Sequence, residues 1–376
     1  MSTHSELFYF VVDFFFKMSS RVIPHEFCVV EINEAPAAIS AQPAMNDGSL
    51  TESSQVKENV NEELLRAVES AYHPVLKVMK LFGMYYGDTT FNHMAHNSAR
   101  RPKHYYAHCF YCGLVVAGLW FNFVMPLVAI LYGGDFVILI MYLSWCILVA
   151  LNATTSLILL PLTNARNSRF RCFLRKAIAI QTDSGNLNTV KLKARMYLIL
   201  LCILFLVAIA GVILSDLVLG VNPGNVEPWN VGFGFRITSM VFFVFSCGVW
   251  LLPFPFFCIT CLILEALFDD LYKRTSLLHS QAMSVATLRR EHQKLCKIVE
   301  SADSMLSPLV LEAVSFFIPV ICFNFYQGVI AFKRGELTFV VLIISVLFWF
   351  LSAIALLGII MVFGSRVNEK VKKQTH

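Results

Sequence analysis

Residues 288–326 read LRREHQKLCKIVESADSMLSPLVLEAVSFFIPVICFNFY, and the two halves of this run demand different surroundings. In the first half Leu288, Leu295, Ile298 and Val299 fall near one face at helical spacing, while Arg289, Arg290, Glu291, Lys294 and Lys297 occupy the rest. From Leu306 onward the run is apolar enough to leave water. An amphipathic helix over 283–304, beneath the bilayer, is therefore expected to lead into a membrane helix over 306–330. Ser307-Pro308 at the joint is the expected helix start, because proline lacks only an N–H that the first helical turn leaves unpaired anyway.

The whole chain carries the same signal. Of its 376 residues 57% are hydrophobic and 15% charged, whereas a soluble domain is about 45–50% apolar and roughly 25% charged. Several stretches exceed the ~18 apolar residues that mark a spanning helix. The fold class is thus all-α and polytopic, with the lipid bilayer as its first partner. The net charge of +5 does not point to a nucleic-acid partner, because the Lys and Arg residues collect in loops between apolar segments. Eleven cysteines lie mostly in or beside those segments and form no disulfide framework. Cys109-x-x-Cys112 and Cys258-x-x-Cys261 have a metal-like spacing but no His or acidic partners nearby. The triplet Asn152-Ala-Thr154 falls inside an apolar segment, where glycosylation cannot reach it. No nucleotide loop, metal constellation or catalytic triad is present, so neither an enzyme nor a cofactor is expected.

In chain order, residues 1–60 read as a cytoplasmic, largely disordered region. It holds an apolar patch from Leu7 to Phe16 that lacks the marks of a signal peptide, then a small, polar, Pro-containing stretch over 35–60. Residues 61–106 read as helices at the membrane edge. The transmembrane domain, 107–364, contains six predicted spans at about 107–132, 136–162, 196–220, 237–268, 306–330 and 337–363. The fourth is long for one crossing, which implies tilt or extension into the cytoplasm. A basic tail closes the chain over 365–376. Arg166, Arg169, Arg171, Arg175 and Lys176 crowd the loop after span two, and Lys273, Arg274, Arg289 and Arg290 the loop after span four; the alternate loops are nearly bare. Both termini are therefore expected in the cytoplasm of a multi-pass plasma-membrane protein.

Two stretches resemble one family. In the opening run, His292 stands three residues before Leu295, an apolar turn follows, and the membrane helix closes on Phe325-Tyr326. Upstream, YHPVLKVMKLFGMYYG over Tyr72 to Gly87 places a Pro, a helical turn and Phe-Gly just before the first span. Both patterns resemble the insect gustatory and odorant receptor superfamily, and the second is especially similar to nematode gustatory-receptor-like members, including the light-sensing branch. Pro74 would start that helix and Gly83 end it or permit close packing.

The resemblance covers Tyr72 to Lys370 and implies a seven-helix-type fold with an internal N-terminus. Full-length relatives form tetrameric ligand-gated cation channels, so it also implies a chemosensory or photosensory receptor that works as a homo- or hetero-oligomer. The family's seventh span, which lines its pore, finds no counterpart after FGSRVNEKVKKQTH (363–376), although Asn368-Glu369 looks like the start of the family's cytoplasmic extension. The expectation is a subunit or modulatory isoform that does not conduct alone. A G-protein-coupled receptor is disfavoured by the inverted orientation, and a transporter by the lack of an internal repeat.

The resemblance also implies a cavity for a small organic ligand between the outer halves of the helices. At that depth lie Tyr142 and Trp145 in span two, Asp216 in span three, Phe243 and Trp250 in span four, and Phe348 and Trp349 in span six. Asn324, Tyr326 and Gln327 form a polar end to span five. Asp216 and Arg236 are a candidate pair at the outer vestibule. Glu265 and Glu312 are expected to snorkel toward the cytoplasm or to meet loop cations. Thr154, Thr155 and Ser156 can bond between helices or to their own backbone. Pro253 and Pro255 should bend span four, and Pro126 and Pro319 other spans. Arg290, His292, Leu295 and Ile298 would form the cytoplasmic assembly helix.

Overall fold

A computed structural model describes residues 68–86, 105–131, 136–164, 168–178, 180, 184–219, 233–276, 285–332 and 337–375. The expectations for residues 1–60 lie outside the described residues. Helices are the only regular structure among those described: α1 (68–81), α2 (Tyr105–Leu131), α3 (Phe136–Asn164), α4 (Arg169–Ile178), α5 (Ser184–Leu219), α6 (Phe233–Leu251), α7 (Pro253–Ser276), α8 (Val285–Phe332) and α9 (Leu337–Thr375). Among the described residues six stretches are long and apolar enough to cross a membrane: Tyr105–Val128, Tyr142–Asn164, Thr189–Gly211, Ile237–Thr275, Thr287–Tyr326 and Leu347–Val371. They match the predicted spans in number and order.

The fourth stretch is the hub. Of its most apolar window 94% is buried inside the bundle, against 17% for Thr189–Gly211, so span four is the centre and span three faces outward. Hydropathy cannot rank the two, because lipid is as apolar as a protein core. Small residues can. Ser246, Cys247, Gly248, Cys258, Thr260 and Cys261 thin the surface of α6 and α7 and let neighbours approach. A Cβ on Gly248 would lie 2.2 Å from the Phe82 ring, and one on Gly118 of α2 would lie 1.8 Å from Phe242.

This hub is built from two helices. α6 ends at Leu251 and α7 starts at Pro253, with a single turn residue, Leu252, between them. Pro253 and Pro255 supply no backbone donor, so the ladder cannot continue across the joint. By contrast α2 and α8 run on through Pro126 and Pro319 without a break.

The opening run departs from expectation in the same way but with the opposite sign. Ser307-Pro308 starts no helix: α8 is one helix of 48 residues. Pro308 removes the donor that would have served the carbonyl of Ser304, and Arg169 Nη1 donates to that oxygen at 2.6 Å. An outside donor thus replaces the missing backbone bond. Arg169 belongs to α4, a ten-residue helix inside what reads as a basic loop. Its Phe170, Phe173, Leu174 and Ala177 are buried while its cations point elsewhere, and it packs along α8.

α9 likewise outruns its predicted end at 363 and continues to Thr375. Phe363, Val367 and Val371, four residues apart, carry the apolar seam of its extension. Lys370 pairs with Asp269 of α7 to hold it.

α1 precedes the first span. Pro74 lies inside it rather than at its start, whereas Gly83 ends it. With φ +71°, Gly83 closes a Schellman motif in which Met84 N donates to Met79 O (2.7 Å) and Gly83 N to Lys80 O (3.3 Å). A Cβ there would also press on Val115 at 2.8 Å. Asn164 at the end of α3 secures the turn, accepting from Tyr86 N at 2.9 Å. Tyr72 then docks α1 on the hub. Its hydroxyl shares a hydrogen bond with Thr260 Oγ1 at 2.7 Å, and its ring packs edge-on against Phe170 at 5.0 Å and beside Phe256 at 5.8 Å. Burial pushes its phenol well above the usual range.

Candidate functional site

Trp145, Phe243, Phe348 and Ala208 lie nine to eleven residues from the ends of α3, α6, α9 and α5 that stand away from the basic loops. At 1.5 Å per residue that is roughly 14–17 Å, about half of a ~30 Å hydrocarbon core. The helix lengths therefore put these side chains at one depth near the middle of the bundle, and the structure brings them into contact. Trp145 stacks on Phe243 at 4.7 Å with the rings 29° apart. Phe243, Cys247 and Ala208 form a small buried cluster, packed by Trp145, Phe205, Met240, Phe348 and Trp349.

Trp349 carries the array onward. It touches Phe348 at 5.3 Å and Trp250 at 5.1 Å. Trp250 in turn meets Phe317 of α8 at 6.3 Å, and Phe317 meets Phe254 of α7 at 5.9 Å. One aromatic array thus links spans two, four, five and six, beside span three. The rings meet stacked, tilted or edge-on. The indole Nε1 atoms of Trp145 and Trp250 are buried without a hydrogen-bond partner. Each is a donor that can never accept.

The sequence-derived candidates divide accordingly. Trp145, Phe243, Trp250, Phe348 and Trp349 come together, and Tyr142 is buried one turn before Trp145. Asn324 is buried but Tyr326 is exposed. Two residues along a helix is a turn of about 200°, so the polar end of span five cannot face inward as a unit. The side chains of Asp216, Arg236 and Gln327 lie outside the described residues.

Beneath the array α3 carries a polar run. Asn152 Nδ2 donates to Ser246 Oγ of α6 at 2.5 Å, and its buried Oδ1 has no partner. Thr154 and Thr155 each bond their own backbone one turn back, and both reach Glu312 of α8. Ser156 bonds Ala153 O at 2.6 Å. Glu312 therefore does not snorkel: it is buried against hydroxyls. A carboxyl six residues inside an apolar helix finds nearer partners across the interface than in the headgroups. The Asn-Ala-Thr-Thr-Ser run in an otherwise apolar span was the readable sign of this contact. Nothing in the sequence singles out Phe317 and Phe254 among 33 Phe. Glu265 is half-buried, and its Oε1 has no partner.

At the basic end, Leu295 and Ile298 are buried in the chain's own core, where α8 meets α4 and α7. That face of the amphipathic stripe is packed within the chain. Arg290 is exposed and His292 half-buried. His292 Nδ1 lies 3.7 Å from Cys296 Sγ, and its Nε2 has no partner. Arg274 bridges Asp270 at 2.7 Å and Glu291 at 3.8 Å, tying α7 to α8.

A family model described as 7tm Chemosensory receptor matches residues 72–376. The fold is similar to the structure of the insect olfactory receptor OR5 from Machilis hrabei, with a TM-score of 0.59, 12% sequence identity and 79% of each chain covered. Sequence comparison with curated proteins gives no match.

Proposed function

The chain belongs to the 7tm chemosensory receptor family, and from that membership we propose that it is a subunit of a tetrameric ligand-gated cation channel in the plasma membrane. Its termini face the cytoplasm on this reading, as the basic loops require. Its stimulus is a small, mostly apolar organic molecule received among Trp145, Phe243, Trp250, Phe348 and Trp349. The observation that carries the reading is the aromatic array, which joins four spans and holds two buried indole donors without partners among the described residues. An unpaired buried donor costs about 1–3 kcal/mol, and a ligand acceptor can offset that. A ligand that wedges these rings apart would move several spans at once.

The test is a screen of small organic compounds on the purified chain in lipid nanodiscs, read by tryptophan fluorescence, with currents recorded on co-expression with other family subunits. Saturable quenching that weakens in Trp145→Ala and Trp250→Phe supports the reading. Saturable binding indifferent to both changes would move the ligand elsewhere in the bundle. No evoked current in any subunit combination would remove the channel role.

A further inference from the structure

Glu312 sits six residues inside the apolar run of α8 and is only 7% exposed. Its Oε1 lies 2.5 Å from Thr154 Oγ1 and 3.0 Å from Thr155 Oγ1. Among the described residues no ion pair involves it.

The elements packed on α8 bring no cation to that depth. α3 has no charged residue anywhere in Phe136–Asn164. On α4 the Arg169 guanidinium is held at Ser304, eight residues or about 12 Å from Glu312 along α8; Arg171, Arg175 and Lys176 share that short helix. α7 offers Glu265, Asp269, Asp270, Lys273 and Arg274, of which Arg274 pairs with Glu291, 21 residues before Glu312. α9 offers Arg366, Glu369 and Lys370, the last paired with Asp269, and Lys372 and Lys373, whose side chains lie outside the described residues. On α8 itself the nearest charged groups are Asp303 and Glu300, both acids, and Cys322 and Tyr326 follow toward the other end.

Counting protons then constrains the contact. The Thr154 hydroxyl has one proton and three acceptors within reach: Ala150 O and Leu151 O at 2.9 Å, and Glu312 Oε1 at 2.5 Å. Thr155 has one proton for Leu151 O at 2.8 Å or Glu312 at 3.0 Å. When both hydroxyls bond back to their own helix, as Ser and Thr in membrane helices do, the shortest contact lacks a proton unless the carboxyl supplies it.

We propose that Glu312, Thr154 and Thr155 form a proton-binding site within the membrane bundle, in which a protonated Glu312 donates to Thr154 Oγ1 and holds α3 against α8. Release of that proton to solvent leaves a carboxylate with no cation. It must then draw both threonine protons from the carbonyls of Ala150 and Leu151, or admit water between the helices. The first response makes the bonds between span two and span five charge-assisted and the second parts the helices, so the ligand of this site is the proton and its effect is a change in helix packing.

The experiment is infrared difference spectroscopy of the full chain in nanodiscs between neutral and alkaline pH, with isotope-labelled glutamate. A deuterium-sensitive carboxylic C=O band that shifts with the label, is lost at high pH and is missing in Glu312→Gln is the expected result. Thr154→Val should keep the band and move it, because the acceptor is gone. If neutral wild type has no label-sensitive carboxylic band, or if Glu312→Gln folds and leaves that band intact, the site does not hold a proton and the proposal falls. Should Glu312→Gln fail to fold, the labelled wild type and Thr154→Val decide between the same outcomes.

Discussion

Arg169 donates from its guanidinium to the backbone carbonyl of Ser304, the oxygen that Pro308 leaves without a helical partner. The bond explains how a 48-residue helix passes through a proline at the point where the chain changes from charged to apolar. It also fixes α4 to α8. The first test is a double-mutant cycle. Arg169→Ala should cost about 1 kcal/mol, the value of a charge-assisted bond discounted for exposure. In a Pro308→Ala background, where Ser304 regains an N–H partner, the same change should cost clearly less. Equal costs in thermal unfolding of the purified protein would show that Arg169 does not serve that carbonyl.

Gly248→Ala places a methyl group 2.2 Å from the Phe82 ring. Overpacking of this kind costs about 1–3 kcal/mol. Combining it with Phe82→Leu should recover part of the loss, since the smaller side chain vacates the position. A lack of recovery in the melting temperature would mean that some other contact limits the approach of α1 to α6.

Tyr72→Phe removes one hydrogen bond but strands no partner, because Thr260 Oγ1 still donates to Phe256 O at 2.8 Å. The expected loss is about 1 kcal/mol. Tyr72→Ala also empties the space between Phe170 and Phe256 and should lose about 3–5 kcal/mol. Similar losses for the two variants, measured by unfolding, would place the anchoring in the hydroxyl rather than the ring.

Leu295→Ala tests whether the α8 stripe serves the chain's own core or subunit assembly. At 2% exposed it should lower the stability of the single chain by about 2–5 kcal/mol and leave its oligomeric state unchanged. A subunit-association defect without a stability loss, seen by light scattering beside thermal unfolding, would return Leu295 to an interface.

The parts of this protein written along the chain were legible in it. Runs of apolar residues longer than a bilayer is thick set the helical class and six spans. The residues of 288–326 and Tyr72–Gly87 carried the family. Gly83 announced a turn because a left-handed residue at a helix end is nearly always glycine. Pro253 and Pro255, two prolines in one short stretch, announced a bend in span four, where the structure breaks the helix between α6 and α7. What depended on neighbours distant in sequence was not legible. In a bilayer an apolar face is equally at home against lipid or protein, so only packing shows that span four is the hub and span three its rim. That the carbonyl freed by Pro308 finds a donor in Arg169, 139 residues earlier, was not readable along the chain. Whether Glu312 reaches for water depended on two hydroxyls of span two. Local bonds and bilayer thickness set the elements, and the close approach allowed by small residues such as Gly118 and Gly248 chose their partners.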